Sequence, residues 1–346
     1  MRYLVTGGLG VVGSRFVELV ASNGDNVTII DCAEEPRNLW TLDRLNAKFG
    51  DLITTHKMRV ENTDFTPLLK NHDAVLHAAA HTGIPHSEKD PNDDWISNVD
   101  ATRNILEAMR KSQSTVPVVM LSSVKPYRVH DIPCYESDGR ILPNPTSRYF
   151  FGVDETCLLE PDEPYAASKM AQSALAMAYG RTYDLSVVVL RCSNLYGDAP
   201  CHGPRHGWLT WFCISAILGI EIELQGSGCQ TRDMLFSDDV ASATHAALKN
   251  IDKIRGNVYN IGGGSLNTIS CLQAVALIRR ILGREIPTKQ GPGRKNEDML
   301  FLTNHQRFTA ATDWKPSVNV EQGIRKILIW AESHKEELRS VYKEVL

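Results

Sequence analysis

Along the first two-thirds of the chain, short aliphatic and β-branched runs alternate with longer segments whose apolar residues recur at helical spacing. That alternation predicts a parallel sheet flanked by helices. The pattern places strands at 2–6, 26–31, 53–59, 73–78, 116–121 and 186–191, and helices near 14–23, 40–48, 64–70, 95–111 and 165–179. Gly24 and Gly180 are expected to stop the first and last of these helices as C-caps. The remainder predicts helices at 208–219, 237–249, 268–282 and 319–335 with short strands near 222–225, 231–236 and 257–261. The fold class is therefore α/β, a Rossmann-type doubly wound parallel sheet with a smaller interleaved C-terminal α/β substrate domain. The cofactor-binding domain is expected to span 1–191 with part of 230–262, and the substrate domain 192–229 and 263–346. Two long irregular stretches, 124–164 and 196–207, are rich in proline and glycine, as functional loops often are.

Composition narrows the functional classes. The 346 residues are 42% hydrophobic with a formal net charge of −4, ordinary for a globular enzyme. No basic stripe is present to hold nucleic acid or an anionic membrane, so the expected partner is a small molecule. The eight cysteines are scattered without a C-x-x-C pair, and they are expected to be reduced. Met1-Arg2 leads straight into strand-like Tyr3-Leu4-Val5, no apolar run reaches membrane-spanning length, and a cytoplasmic location is expected.

Thr6-Gly7-Gly8-Leu9-Gly10-Val11-Val12-Gly13 follows the first strand and opens the first helix, the context a dinucleotide fingerprint requires. Gly8, Gly10 and Gly13 satisfy G-x-G-x-x-G, and Gly7, Gly10 and Gly13 satisfy the more open G-x-x-G-x-x-G. Glycine lets the backbone turn sharply and approach a pyrophosphate at the helix N-terminus. Asp31 ends the strand Val27–Ile30, where its carboxylate would accept from the adenosine ribose and repel a 2′-phosphate. NAD is favoured over NADP, with Arg37 nearby as the opposing sign.

Tyr165-Ala166-Ala167-Ser168-Lys169 places a phenol and an ammonium on one helical face. An ammonium near a phenol favours the phenolate, so the pair is expected to act as a base that oxidises alcohols at neutral pH. The spacing alone is common on solvated helices, and the surrounding motifs give it weight.

With the fingerprint, the Y-x-x-x-K helix and Ser122-Ser123 at the end of the fifth strand, the chain resembles the extended short-chain dehydrogenase/reductase family of nucleotide-sugar enzymes. Further marks are Leu190-Arg191-Cys192-Ser193-Asn194-Leu195-Tyr196-Gly197, Thr231-Arg232-Asp233 with Asp238-Asp239-Val240-Ala241, Tyr259-Asn260-Ile261-Gly262-Gly263 and Asp313-Trp314-Lys315-Pro316. Within the family, the segments around 152–156, 207–213 and 253–257 most resemble the branch that inverts C2 of a CDP-hexose. The resemblance implies Tyr165 as acid or base, Lys169 on the nicotinamide ribose and Ser123 as a catalytic hydroxyl. It implies cofactor contacts at Gly7, Gly10, Val11, Val12, Gly13, Asp31, Val60, Ala78, Ala79, Ala80, Asn98, Lys169, Cys192 and Ser193. Substrate contacts implied are Asn194, Arg232, Arg294 and Glu297, the arginines suiting a diphosphate; apart from the resemblance, His81, in the loop facing the cofactor, is a candidate to touch the sugar. It also implies a homodimer or homotetramer.

Two departures stand out. Met58-Arg59-Val60-Glu61 replaces the acidic residue that the family turns toward adenine. The strand end reads Ser122-Ser123-Val124 where relatives carry a third hydroxyl, so either Ser123 reaches the sugar through a shifted backbone, Tyr165 contacts it directly, or activity is lost. Val124-Lys125-Pro126 also lacks the Asp-Glu pair of sugar 4,6-dehydratases, which favours hydride-only epimerisation. A 4-epimerase, a dehydrogenase releasing a keto-sugar, and a non-catalytic NAD(H) sensor remain as alternatives. Cys201, His202 and His206 lack an evident fourth ligand, so no metal is expected. His77 reads as structural, and Trp208 and Trp211 as core or stacking residues.

Overall fold

The structure is a computed structural model describing residues 1–201, 203, 207–293 and 297–343, with the side chains of 84–86 set aside. Strands β1 (Arg2–Thr6), β2 (Asn26–Asp31), β3 (Ile53–Lys57), β4 (Ala74–His77) and β5 (Val118–Ser123) come first. An excursion then carries a hairpin of β6 (Cys134–Ser137) and β7 (Arg140–Pro143). After it, β8 (Val187–Cys192) re-enters the sheet and β9 (Asn194–Tyr196) leaves it. The remaining strands are β10 (Ile222–Gln225), β11 (Thr231–Phe236), β12 (Val258–Ile261), β13 (Thr268–Ser270), β14 (Thr288–Gly291) and β15 (Leu300–Phe301).

Seven strands pair in parallel in the order β12-β8-β5-β4-β1-β2-β3. The doubly wound sheet expected from the sequence is thus present, and β12 forms its far edge beside β8. Alternation along the strands sends successive side chains to two separate cores. Val119, Leu121, Val188 and Leu190 pack against helices 11–21, 36–49 and 237–249, through Phe16, Val20, Leu45 and Val240. Val118, Met120, Val187 and Val189 pack against helices 65–71, 101–112 and 164–182, through Phe65, Ile105, Met109 and Met177. A third core joins Leu209, Phe212 and Ile217 to Ile324, Ile327 and Leu338 in the C-terminal part.

Local differences from the sequence reading have plain causes. Gly180 is not a C-cap: it lies inside Pro164–Thr182, where an added Cβ would stand 3.7 Å from Gly256 Cα, and left-handed Asp184 follows the helix end. Residues 268–270 form a strand and not the start of a helix, because Ser270 caps the helix Cys271–Leu282 in a capping box with Gln273. The helix near 95–111 opens with a π turn at Trp95–Asp100.

Strand β11 links the cores through its own alternation. Arg232 faces the cavity described below, whereas Asp233 is fully buried and accepts from Ser193 Oγ at 2.6 Å, Thr303 Oγ1 at 3.2 Å and the Gly264 amide at 3.2 Å. Asp239 similarly accepts from the Ser317 amide at 2.9 Å and the Val318 amide at 3.0 Å, anchoring the segment after Asp313-Trp314-Lys315-Pro316. Tyr196 packs edge-on to Phe236, 5.1 Å between centroids, and its ring fills the space beside Gly323.

Gly323→Ala would set a Cβ 2.2 Å from the Tyr196 hydroxyl; we expect a loss of about 1–3 kcal/mol in denaturant unfolding. An unchanged midpoint would show that this contact relaxes freely. Burial raises the Asp233 pKa to about 6. The folded chain therefore binds this proton more tightly than the unfolded chain, whose value is about 3.9. The stabilising contribution is complete below the lower value and lost as pH rises through about 6. The stability of the wild type relative to Asp233→Asn should fall by on the order of 2 kcal/mol between about pH 4 and pH 7. A pH-independent difference would show that Asp233 does not titrate in this range.

Candidate active site

The C-terminal ends of β1, β2, β4, β5 and β8 converge on one cavity of about 710 Å3. Strand order reverses beside β1, and such switch points open the crevice in which doubly wound sheets bind ligands. Gly7, Gly10, Val11, Val12, Gly13, Asp31, Val60, Ala78, Ala79 and Ala80 line one end. Ser123, Tyr165, Lys169, Cys192, Ser193, Asn194, His81 and Arg232 line the remainder.

The fingerprint turn is packed too tightly for side chains. Gly7 has φ +69°, and a Cβ there would stand 2.5 Å from the Ala79 amide nitrogen; at Gly13 it would stand 2.1 Å from Gly7 O. The backbone is thereby left open at the N-terminus of helix Val11–Ala21. Asp31 is held by the Leu9 and Ala33 amides, each at 3.0 Å, one on each carboxylate oxygen. Each oxygen keeps a further lone pair for a ribose hydroxyl. Arg37 engages Glu35 at 2.6 Å, which offsets its attraction for a phosphate. These residues fit NAD. At the Val60 end, Arg59 bonds Asp93 at 2.6 Å and Ser97 at 2.9 Å, and Arg59, Glu61 and Asp93 all line the cavity.

Tyr165 and Lys169 share one face of helix Pro164–Thr182, as their spacing predicts. Their electrostatics differ from the sequence expectation. Burial raises the Tyr165 phenol well above its usual range, and a hydrogen bond with Ser123 pulls it partly back. Burial lowers Lys169 to about 8; its ammonium donates to Gln172 Oε1 at 2.9 Å and Leu121 O at 3.3 Å. Desolvation outweighs the attraction inferred from spacing, because both groups lose water together.

The structure also corrects the strand-end reading. Ser123 is the hydroxyl partner of Tyr165. Val124 is instead buried in an apolar cluster with Tyr127 and Val153, and its amide bonds Cys192 O at 3.1 Å, continuing the β5–β8 ladder. Ser122 points the other way, to Ser173 Oγ at 2.9 Å. Val124 thus packs away from Tyr165, while Ser123 stands beside it on the cavity wall.

Other expected residues divide between lining and bracing. Asn98 is buried outside the cavity wall, where its amide holds His81 O at 3.1 Å and Ser168 Oγ at 2.9 Å. His81 lines the cavity with Nδ1 2.6 Å from the buried carboxylate of Asp94. Glu297 is near the Arg232 strand, accepting from Gln230 Nε2 at 3.2 Å, but not on the cavity wall. Arg294, His202 and His206 lie outside the described residues. His77 is structural, bridging Thr6 and Thr102 at 2.7 and 3.1 Å, with burial lowering its pKa to about 3. Trp208 lines the cavity, whereas Trp211 packs on Tyr342 in the C-terminal core. The reading missed Asp94 and Asp298; the only hint of either was an aspartate close to a motif residue.

Residues 3–262 match the NAD dependent epimerase/dehydratase family. A CDP-paratose 2-epimerase of Salmonella typhi is 30% identical, the match covering 96% of this chain and 100% of that protein. A dTDP-glucose 4,6-dehydratase of Salmonella typhimurium is also 30% identical, over 95% and 92% of the two chains. Among solved structures, UDP-glucuronic acid 4-epimerase from Bacillus cereus, in complex with UDP-glucuronic acid and NAD, superposes with a TM-score of 0.80 at 24% identity over 96% and 99% of the chains. UDP-glucose 4-epimerase from Thermotoga maritima gives 0.81 at 23% identity over 97% and 100%. With the fingerprint turn, Asp31 and the Tyr165–Lys169 helix gathered on one cavity, and a family match across most of the chain, this protein belongs to the NAD-dependent epimerase/dehydratase family and its cofactor is NAD.

Proposed function

We propose that the protein inverts a carbinol centre of a nucleotide sugar, with C2 of a CDP-hexose as the leading substrate and position. The observation that carries this reading is the strand end at Ser123. It supplies a hydroxyl to Tyr165, followed by Val124, buried among apolar residues, and Lys125, an ammonium. Neither of those two side chains removes a proton from carbon, as water elimination requires. Burial alone would lower the Lys125 pKa, but Asp298 and the carboxyls nearby more than offset it and keep the group charged. The full-length similarity to CDP-paratose 2-epimerase supports the choice of nucleotide and carbon.

When bound, NAD⁺ supplies a hydride acceptor, returns that hydride, and brings a positive charge that favours the phenolate. Tyr165 takes the proton of the sugar hydroxyl while the carbon loses hydride, and gives it back when hydride returns to the opposite face. Ser123 holds the phenol oxygen and offers the sugar oxygen a second hydrogen-bond partner. Lys169 keeps positive charge on the helix turn behind the phenol, and Arg232 offers a guanidinium to the diphosphate.

Tyr165→Phe should reduce turnover at least about 100-fold with NAD still retained on purification; an active variant would place the base elsewhere. Ser123→Ala should slow the reaction by about 10- to 100-fold, and an unaltered rate would remove the relay. Incubating the protein with CDP-, UDP-, ADP-, dTDP- and GDP-sugars in deuterated water, followed by NMR, should give a diastereomer without deuterium at the inverted carbon. Deuterium there would replace hydride return with deprotonation beside a carbonyl. Preference for a UDP-sugar inverted at C4 would select the 4-epimerase reading, and released NADH the dehydrogenase reading.

A further inference from the structure

The cofactor wall continues past Asp31. That residue ends β2, Lys57 of β3 lies opposite it, and the Met58 amide bonds Asp31 O at 3.0 Å. Residues 58–61, which follow, line the same end of the cavity. Their backbone is braced: Asn104 Nδ2 donates to Val60 O at 2.9 Å and to Thr63 O at 2.7 Å, and Thr63 Oγ1 donates to Arg59 O at 2.9 Å. The Arg59 guanidinium is fixed as well. Its Nε donates to Glu61 and its Nη2 to Asp93 and Ser97, and all three partners line the cavity. Nη1 is different. It makes no hydrogen bond among the described residues, the carboxylate of Glu34, also on the wall, stands 3.8 Å from it, and the side chain is 34% exposed and within reach of a ligand.

We propose that Arg59 reads the purine of the cofactor as a hydrogen-bond donor, so that the site accepts a 6-oxopurine dinucleotide as readily as NAD⁺. A ribose on Asp31 carries its base away from the fingerprint turn after β1, and β3 with residues 58–61 is what the sheet order places on that side. A guanidinium has donors and no acceptor. Adenine offers it ring nitrogens N1 and N7, but the 6-amino group projects between them, is itself a donor, and meets a cation unfavourably. Hypoxanthine carries oxygen at that carbon, so either edge keeps an acceptor and the N7 edge presents two side by side. In nucleic acids, arginine takes that O6/N7 edge of guanine, whereas adenine is read by side-chain amides, which can also accept. The inference concerns the cofactor half of the cavity and stands whichever sugar is turned over.

The test is equilibrium dialysis of the full chain against an equimolar excess of NAD⁺ and nicotinamide hypoxanthine dinucleotide, continued until the retained ratio is the same from either starting dinucleotide and read by chromatography. The two ligands differ only in the purine. The wild type should retain the hypoxanthine form at no less than about one-third of the NAD⁺ level. Arg59→Gln, whose amide can accept from the 6-amino group, should swing the ratio toward NAD⁺ by about tenfold. Arg59→Lys, still a donor only and still a counter-charge for Glu61 and Asp93, should keep the wild-type ratio within about threefold. Wild-type retention of NAD⁺ by more than about threefold over the hypoxanthine form overturns the proposal, because it puts an acceptor such as Glu61 or Asp93 on the amino group. A ratio unmoved by Arg59→Gln, or moved as far by Arg59→Lys, overturns it too.

Discussion

The desolvated carboxylate of Asp233 fixes where the substrate-side segments meet the central sheet. It gathers hydrogen bonds from Ser193 after β8, Gly264 after β12 and Thr303 after β15. A buried charge is tolerated when such partners satisfy it, and losing one is costly. Because β11 alternates, fixing Asp233 inward turns Arg232 toward the cavity on the other side. The same clamp holds Ser193 and Asn194 at the end of β8. One buried residue, itself off the cavity wall, therefore braces two stretches of that wall, Arg232 on β11 and Ser193 after β8.

The Tyr165 hydroxyl and the Lys169 ammonium lie inside this frame, where removal from water governs both. It drives the phenol toward its protonated form and the lysine toward its neutral form. Their readiness for proton transfer consequently depends on what else enters the cavity. Burial thus sets the resting protonation of both groups, and a charge brought into the cavity would shift it.

Much of this was legible in the residues. The strand runs announced the central sheet because strands covered on both faces read as unbroken aliphatic stretches. The glycine fingerprint and Asp31, read together from the sequence, do line one cavity, because the tight turn and the strand end meet there. What escaped was long-range. Spacing put Tyr165 beside Lys169 but could not show that burial outweighs their attraction. Counting hydroxyls along the strand end made Val124 look like a defect, because sequence carries no register between a loop and a helix; in three dimensions Ser123 meets the phenol and Val124 packs away. Asp94 follows His81 by 13 residues across a loop whose path the sequence does not show, and Asp298 is 173 residues from Lys125, so only the fold brings the two together.

The position of β12 has a consequence for how the chain is made. Val187–Leu190 of β8 are buried on both faces, yet the lateral edge of that strand is covered only when Val258–Ile261 pairs beside it. During synthesis, a nearly complete cofactor-binding sheet would present an open aliphatic strand until that later segment leaves the ribosome. Unpaired edges of this kind recruit other strands. The seventh strand thus acts as a seal on the nascent protein, which links productive folding to completion of much of the substrate-side sequence.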